Sequence, residues 1–161
     1  MVVVVAKVII VYESKYGNTK LVAETITDGM SEIEGIEAVV KELRDVDPNK
    51  ITDFDAILIG SPNHCGGPTR GIKEFVERLG ELHLEGKLYA VFDTYLGKKS
   101  DYFFERAMKK MEKTINEKVP ALKQIGFGLS IKVQGMKGPI MEGELPKCKE
   151  FGKKIAIQLK A

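Results

Sequence analysis

The sequence predicts an α/β protein with a five-stranded parallel sheet and helices on both of its faces. Apolar or alternating segments of strand length are separated by amphipathic segments of helix length along all 161 residues. Three of the strand segments are continuously apolar, which is typical of the buried centre of a parallel sheet, and two alternate, which is typical of its edges. A chain of this length suits one domain, so we expect residues 1–161 to fold as a single unit.

The first strand and the first helix enclose a turn that is suited to an anion. Residues 8–11 form a continuous apolar strand, and a polar turn follows at residues 13–19. The predicted buried face of the helix consists of apolar residues three or four positions apart, namely Leu21, Val22, Ile26, Met30 and Ile33. A turn from a strand into a helix presents backbone N–H groups at the positive end of the helix dipole, which favours phosphate binding.

Side chains in this turn add to its capacity to hold an anion. Ser14, Tyr16 and Thr19 each contribute a hydroxyl group. Gly17 allows the backbone to turn tightly, and Asn18 is the predicted N-cap of the helix. The side chain of Lys15 either pairs with the anion or points to solvent, and solvent is the favoured alternative.

The other strands follow in chain order. Residues 36–41 alternate and indicate an edge strand, whereas residues 56–59 and 88–92 are continuously apolar and indicate central strands. Residues 127–133 alternate again and predict an uninterrupted strand at the other edge, with Phe127, Leu129, Ile131 and Val133 on one face.

Three further helices are predicted from apolar spacing and from their terminating residues. Pro68 opens the second helix and Gly80 ends it, while the third spans residues 101–118 before Pro120. Their inward residues are Ile72, Phe75, Val76 and Leu79 in the second helix, and Phe104, Met108, Met111 and Ile115 in the third. The final helix buries Cys148, Phe151, Ile155 and Leu159.

Residues 14–19, Ser-Lys-Tyr-Gly-Asn-Thr, resemble the Ser/Thr-x-Thr-Gly-Asn-Thr phosphate loop of flavodoxins. With tyrosine at its third position, the loop is more similar to those of the flavodoxin domains of flavo-diiron proteins and of flavodoxin-like quinone reductases. Gly60, Ser61 and Pro62, together with residues 148–156, extend the resemblance over nearly the whole chain. The resemblance implies a flavodoxin-like fold of the short-chain type, strand order 2-1-3-4-5, with FMN bound where the strand order reverses.

Three loops are therefore expected to converge on FMN. They contribute Ser14, Lys15, Tyr16, Gly17, Asn18 and Thr19 from the first loop, Pro62, Asn63, His64, Cys65 and Gly66 from the second, and Asp93, Thr94, Tyr95 and Gly97 from the third. Tyr95 is the expected stacking platform for the flavin ring. The peptide of Gly66, or alternatively that of Gly67, is the candidate to rotate so that its carbonyl accepts a hydrogen bond from the N–H that reduction creates on the flavin. Asp93 is expected beside the negative charge of the reduced flavin, so that Asp93→Asn raises its potential.

Some of these residues have ordinary alternatives. The family often has a Trp or another aromatic residue on the inner flavin face, and this chain contains no Trp. His64 either takes that place or is a plain loop histidine. Cys65 is favoured as a small loop residue, since no base or second cysteine lies near it to activate a thiol. We expect no catalytic residue and no metal site, because the two histidines show no ligand spacing.

Charge balance and cysteine content disfavour several classes of protein. The 25 Lys and Arg residues nearly balance the 23 Asp and Glu residues, and a net charge of +2 is too balanced for a dedicated nucleic-acid binder. Two cysteines without a CxxC pair favour a reducing cytoplasm, and the apolar run at residues 2–5 is too short for a membrane span or a signal peptide.

The leading hypothesis is an FMN-binding electron-transfer protein that shuttles between redox partner proteins, as a monomer or weak homodimer. The alternative is an enzyme, an FMN-dependent NAD(P)H:quinone-type oxidoreductase, and the pattern favours the carrier. A third hypothesis is a partner module without flavin, for which Glu13 beside the phosphate loop is the sequence hint. In the carrier, Lys98 and Lys99 are either a docking site for an acidic partner or solvated charges.

Overall fold

The computed structural model describes residues 3–97 and 106–161. The strands are β1 (Ala6–Tyr12), β2 (Ile36–Glu42), β3 (Ala56–Pro62), β4 (Leu88–Tyr95), β5 (Lys123–Gln124) and β6 (Leu129–Lys132). The helices are α1 (Asn18–Ser31), α2 (Arg70–Leu79), α3 (Ala107–Lys118) and α4 (Leu145–Lys160). Two short 3₁₀ helices, Leu43–Asp45 and Pro48–Asp53, connect β2 to β3.

The strands form one parallel sheet in the predicted order. β2, β1, β3 and β4 lie side by side, and both β5 and β6 pair with β4 at the far edge. The register aligns Ile10 of β1 with Leu58 of β3, and Leu58 with Ala90 of β4. The predicted flavodoxin-like doubly wound sheet is confirmed, with its fifth position divided between two short segments.

The division of the last strand corrects the sequence prediction. The strand predicted over residues 127–133 begins only at Leu129, and residues 125–128 separate it from the short strand β5. The Phe127 side chain is 90% exposed and does not point inward. Gly126 has a φ of +67°, outside the extended region. At Gly128, a Cβ atom would lie 2.6 Å from Cγ of Met108, so α3 packs where a side chain would stand. Leu129, Ile131 and Val133 pack in one cluster as the alternation predicts, whereas Phe127 does not.

Alternating side chains of the central strands divide the core between the two faces of the sheet. Val8 and Ile10 pack with α1 and α4, whereas Ile9 and Val11 pack with α2 and α3. The predicted core face of α2 is fully buried. In α3, Met108, Met111 and Ile115 are buried as predicted, and the predicted start of this helix, with Phe104, lies outside the described residues.

The helices α1 and α4 lie against each other on one face of the sheet. Val22, Ile26 and Met30 of α1 are buried, but Leu21 is 42% exposed, so its predicted inward position is wrong. Leu21 precedes Val22 by one position, about 100° around the helix, and Val22 begins the stripe that faces the sheet. In α4, Cys148 and Ile155 are buried. No helix in residues 3–97 and 106–161 has the length and apolarity needed to cross a membrane.

Candidate functional site

A cleft of about 480 Å³ opens where β1, β3 and β4 end, at the reversal of strand order. This volume falls within the roughly 300–1,000 Å³ of ordinary small-ligand sites. The cleft is lined by Glu13, Ser14, Lys15, Tyr16, Asn18, Thr19, Pro62, Asn63, His64, Thr69, Arg70, Thr94, Tyr95, Leu96, Val133 and Met136. The structure thus brings most of the predicted site residues together.

The turn into α1 is shaped by Gly17 and Ser14. Gly17 has a φ of +93°, and a Cβ atom built there would meet nothing within 4 Å, so the backbone borders open space. The Ser14 hydroxyl oxygen accepts hydrogen bonds from the N–H groups of Gly17 at 3.1 Å and Lys20 at 3.2 Å. Ser14 therefore caps the start of α1, a role that was predicted for Asn18. Asn18 is instead the first residue of the helix, and Gly17 occupies the N-cap position without a side-chain bond.

A buried contact joins the first loop to β4. The hydroxyl oxygens of Thr19 and Thr94 lie 2.9 Å apart, and the two residues are only 1% and 5% exposed. One hydroxyl donates to the other, which leaves one hydroxyl hydrogen of the pair for another acceptor. This bond fixes the start of α1 against the floor of the cleft.

Glu13 and Thr69 connect the first loop to the start of α2. The Thr69 hydroxyl donates to the Glu13 carboxylate and accepts from the N–H of Ile72 at 3.3 Å, so Thr69 caps α2. A Cβ atom on Gly71 would lie 2.9 Å from Oε1 of Glu13, and the glycine leaves that space to the carboxylate. The negative charge of Glu13 thus sits at the positive end of α2. Sequence reasoning missed Thr69, although Pro68 followed by a threonine is a helix-start signal.

The second loop is a tight hairpin. His64 and Gly67 exchange backbone hydrogen bonds of 2.7 and 3.1 Å across the two residues Cys65 and Gly66. Those two residues have φ values of +50° and +78°, which places Cys65 in a region that non-glycine residues rarely adopt. Cys65 and Gly66 lie at the hairpin tip and do not line the cleft, whereas His64 does.

The third loop differs from the prediction at Asp93. Its side chain is fully buried, and Oδ2 accepts from the N–H of Met108 at 2.9 Å, at the start of α3. β4 extends to Tyr95, so successive side chains alternate between the sheet faces, and Thr94 faces α1 while Asp93 faces α3. The geometry therefore gives no support to an electrostatic role for Asp93 in the cleft. Gly97 also does not line it.

Tyr95 lines the cleft, and the side chain of Arg106 lies over its ring. The guanidinium carbon of Arg106 lies 4.0 Å from the ring centroid, within the range of a cation–π contact. The backbone N–H of Asn63 donates to the carbonyl of Thr94 at 2.8 Å, which holds the second loop beside the third. The Tyr95 ring is thus contacted by Arg106, and the residue before it is bonded to the second loop.

A fourth loop, residues 133–140, also reaches the cleft and was missed from the sequence. It brings Val133 and Met136 into the lining, and the Tyr16 hydroxyl lies 3.9 Å from the sulfur of Met136. Gly138, with a φ of +94°, packs so closely on Asn18 that a Cβ atom there would lie 2.9 Å from its Nδ2. The glycines at 135 and 138, directly after the last strand, were the available signal.

The two cysteines have different surroundings. Cys65 is exposed, whereas Cys148 is buried against α1. Burial, followed by the nearby charge of Glu144, raises the pKa of the Cys148 thiol to about 12. Across residues 3–97 and 106–161, no group of three or more His, Cys, Asp or Glu side chains is placed to hold a metal ion.

The chain is similar to flavodoxins in sequence and in structure. The model of the flavodoxin family matches residues 10–135. A flavodoxin from the domain Archaea is 25% identical, with a TM-score of 0.79 over 96% of this chain and 99% of its own. Flavodoxin 2 from Bacillus cereus is also 25% identical, with a TM-score of 0.78 over 95% of this chain and 99% of its own.

A larger protein contains the same fold. The flavodiiron protein from Giardia intestinalis is 21% identical, with a TM-score of 0.75 over 96% of this chain but only 37% of its own. This likeness shows the shared fold. The family match covers more than three quarters of the chain, and it agrees with the sheet order and with the position of the cleft. The chain belongs to the flavodoxin family.

Proposed function

We propose that the chain binds FMN in this cleft and carries electrons between redox partner proteins. Membership of a family of FMN-binding electron carriers supports the proposal at the family level. The observation that carries it for this chain is the open turn at the start of α1, where Gly17 borders empty space next to a cleft walled by Tyr95.

The donors of the turn fit a phosphate group. The first N–H groups of α1, those of Asn18 and Thr19, have no acceptor within the helix and lie at its positive end. The Ser14 hydroxyl accepts from two N–H groups, so its own hydrogen is directed elsewhere and is available to an anion. The Glu13 carboxylate would oppose a phosphate, but it is engaged by Thr69 at the other helix.

The remaining lining fits a planar, partly apolar ring. Tyr95 offers an aromatic face, and Leu96, Val133 and Met136 add apolar surface. His64 lines the same cleft, which supports the alternative in which it packs against the ring. When bound, FMN supplies the redox chemistry, and the protein's part is to orient it and to limit its contact with water.

The test is a titration of the chain with FMN and with riboflavin, which lacks the phosphate, followed by quenching of flavin fluorescence. We expect FMN to bind more tightly than riboflavin. Ser14→Ala should weaken FMN binding about tenfold, because a charge-assisted hydrogen bond contributes roughly 1.5 kcal/mol, and should leave riboflavin binding within about twofold. Ser31→Ala, at the other end of α1, is the matched control. Absence of quenching by micromolar FMN would refute the proposal.

A second measurement separates a carrier from a reductase. The FMN-loaded chain is mixed anaerobically with NADH or NADPH, and the visible flavin absorbance is followed. A carrier keeps its absorbance with either nucleotide and loses it on photoreduction, after which it passes electrons to a redox protein. Rapid bleaching by a nucleotide alone would replace the carrier proposal with the FMN-dependent oxidoreductase.

A further inference from the structure

We propose that the surface around the cleft is a docking site for a redox partner protein with an acidic surface. The proposal rests on the function proposed above and specifies the partner's charge. It starts from a group of basic residues that line the cleft or lie beside its tyrosines and the hairpin of the second loop. They are here called the cationic rim: Lys15, Arg70, Lys73, Arg106, Lys110 and Lys137.

Two cations of the rim lie over the first loop. The Nζ atom of Lys15 is 5.5 Å from the ring centroid of Tyr16, and the Nζ atom of Lys137 is 6.0 Å from the same centroid. Lys137 comes from the loop after β6, so two separate segments bring positive charge to one aromatic side chain. Tyr16 itself lines the cleft and is 40% exposed.

Two further cations flank the hairpin of the second loop. A Cβ atom on Gly67 would lie 3.8 Å from Nζ of Lys110 and 4.0 Å from Cε of Lys73, so α2 and α3 each place a lysine beside this turn. Arg106 lies over Tyr95, and Arg70 lines the cleft directly. Four segments of the chain therefore place cations beside the cleft or the hairpin.

Carboxylates lie near the rim as well, and Glu77 and Glu117 line one groove together with Lys73 and Lys110. Glu13 accepts from Thr69, and Glu74 pairs with Arg70 at 3.1 Å in an exposed contact that contributes little. Among the described residues, Arg70 is the one member of the rim that forms an ion pair. Elsewhere some lysines are paired, such as Lys118 with Glu77 and both Lys149 and Lys153 with Glu32.

The local excess of positive charge fits an acidic protein. The whole chain carries a net charge of only +2, whereas all six members of the rim are basic. Complementary charge steers two proteins into contact and fixes their orientation. A partner that exchanges electrons with a cofactor in the cleft must approach through the mouth of the cleft. A nucleic acid would also be attracted to cations, but a balanced net charge favours a protein.

The first experiment measures docking without electron transfer. The ¹⁵N-labelled chain is titrated at about 0.01 M ionic strength, where screening is weak, with an acidic [2Fe–2S] ferredoxin as the probe. We expect NMR signals of the rim and the His64–Gly67 hairpin to broaden, and the effect to fade near 0.15 M salt. The Lys73→Glu/Lys110→Glu variant should bind about tenfold more weakly, and Lys73→Gln/Lys110→Gln should fall between it and the parent chain.

The matched control is Lys123→Glu/Lys160→Glu. Lys123 pairs with the first residue of β4, and Lys160 ends α4, whose Gln158 lies beside Gly126, so both lysines are at the opposite end of the sheet. The control should bind the ferredoxin as the parent chain does. Equal weakening in both charge-reversal variants, or no binding by the parent chain, would overturn the proposal. Tighter binding of a DNA oligonucleotide than of the ferredoxin, with the same dependence on the rim, would replace the acidic protein with nucleic acid.

The second experiment measures electron transfer from the photoreduced, FMN-loaded chain to the ferredoxin and to basic cytochrome c. The rim charge reversal should slow transfer to the ferredoxin about tenfold and should speed transfer to cytochrome c. FMN binding, titrated first, should be unchanged in the variant. If FMN does not bind, the proposed function fails while the NMR titration still tests docking. If FMN binds and the rim has no effect on either probe, the docking proposal alone fails.

Discussion

The contact between α1 and α4 makes Gly152→Ala an informative substitution. Helix propensity alone predicts that alanine in place of this glycine stabilises α4 by about 1 kcal/mol. The structure predicts the opposite sign. A Cβ atom on Gly152 would lie 3.1 Å from the carbonyl carbon of Ile26 and 3.2 Å from Cγ of Met30, and closer still to the carbonyl oxygen of Ile26. This neighbour is helix backbone, so it moves only if α1 moves.

The magnitude follows from these contacts. Inserting a methyl group into a packed interior costs roughly 1–3 kcal/mol. The overlap at Gly152 is with helix backbone, so the cost lies in the upper part of this range, about 2–3 kcal/mol. Subtracting the gain of about 1 kcal/mol from propensity leaves a net destabilisation of about 1–2 kcal/mol. For a domain of this size each kcal/mol lowers the melting temperature by about 2–4 °C. Gly29 makes the reciprocal contact, since its Cβ atom would lie 3.0 Å from the carbonyl carbon of Lys149. Gly29→Ala should therefore act in the same direction.

The assay is urea unfolding followed by circular dichroism, with thermal melting as a second readout. Lys154→Ala, at an exposed position of α4, is the control and should change the free energy of unfolding by less than about 0.5 kcal/mol. Because both glycines lie at one helix contact, the double substitution should cost less than the sum of the two. An increase in the free energy of unfolding in Gly152→Ala would refute the close packing of the two helices.

Two other predictions concern the cleft and the thiols. Glu13→Gln should lower the free energy of unfolding by about 1 kcal/mol, because it weakens the bond from Thr69 and removes a charge at the start of α2, and should tighten FMN binding relative to riboflavin. Urea unfolding and flavin titration check this, with Glu85→Gln as an exposed control that should change neither. At pH 8 a thiol reagent should modify Cys65 in the native chain and reach Cys148 only after unfolding, and two reactive thiols in the native chain would contradict this. Burial raises the pKa of Cys148 from 9.0 to about 12, so its contribution to stability is complete below pH 9 and is lost as pH rises towards 12.

Much of the cleft could be predicted because its main features are local. The first loop joins an apolar strand to an amphipathic helix, and both are visible as periodic patterns. The position predicted for the Asp93 side chain was wrong, because it points toward α3 and not into the cleft. A polar pair, Asp93 and Thr94, was taken as the start of a loop, but the strand continues through it to Tyr95. Which of the two side chains enters the cleft depends on strand alternation, and therefore on where the strand ends.

The residues that were missed come from segments that are distant in sequence. Met136 and Val133 reach the cleft because the loop after β6 folds against Asn18, and Thr69 reaches it through Glu13. No periodicity marks such contacts. The same holds for the cationic rim, whose lysines belong to separate helices and loops and become neighbours only at the hairpin and the cleft mouth.

The sequence by itself determined the parallel sheet, the order of its elements and the turn before α1, because burial patterns and helix-start geometry depend on residues close together in the chain. The tertiary structure decided which side chains line the cleft, how the last strand is divided, and where positive charge collects. These depend on packing between distant segments, as when Met108 fills the space beside Gly128 and Ile26 meets Gly152. Such close approaches arise from the shapes of two folded elements together, and neither element's sequence contains that information.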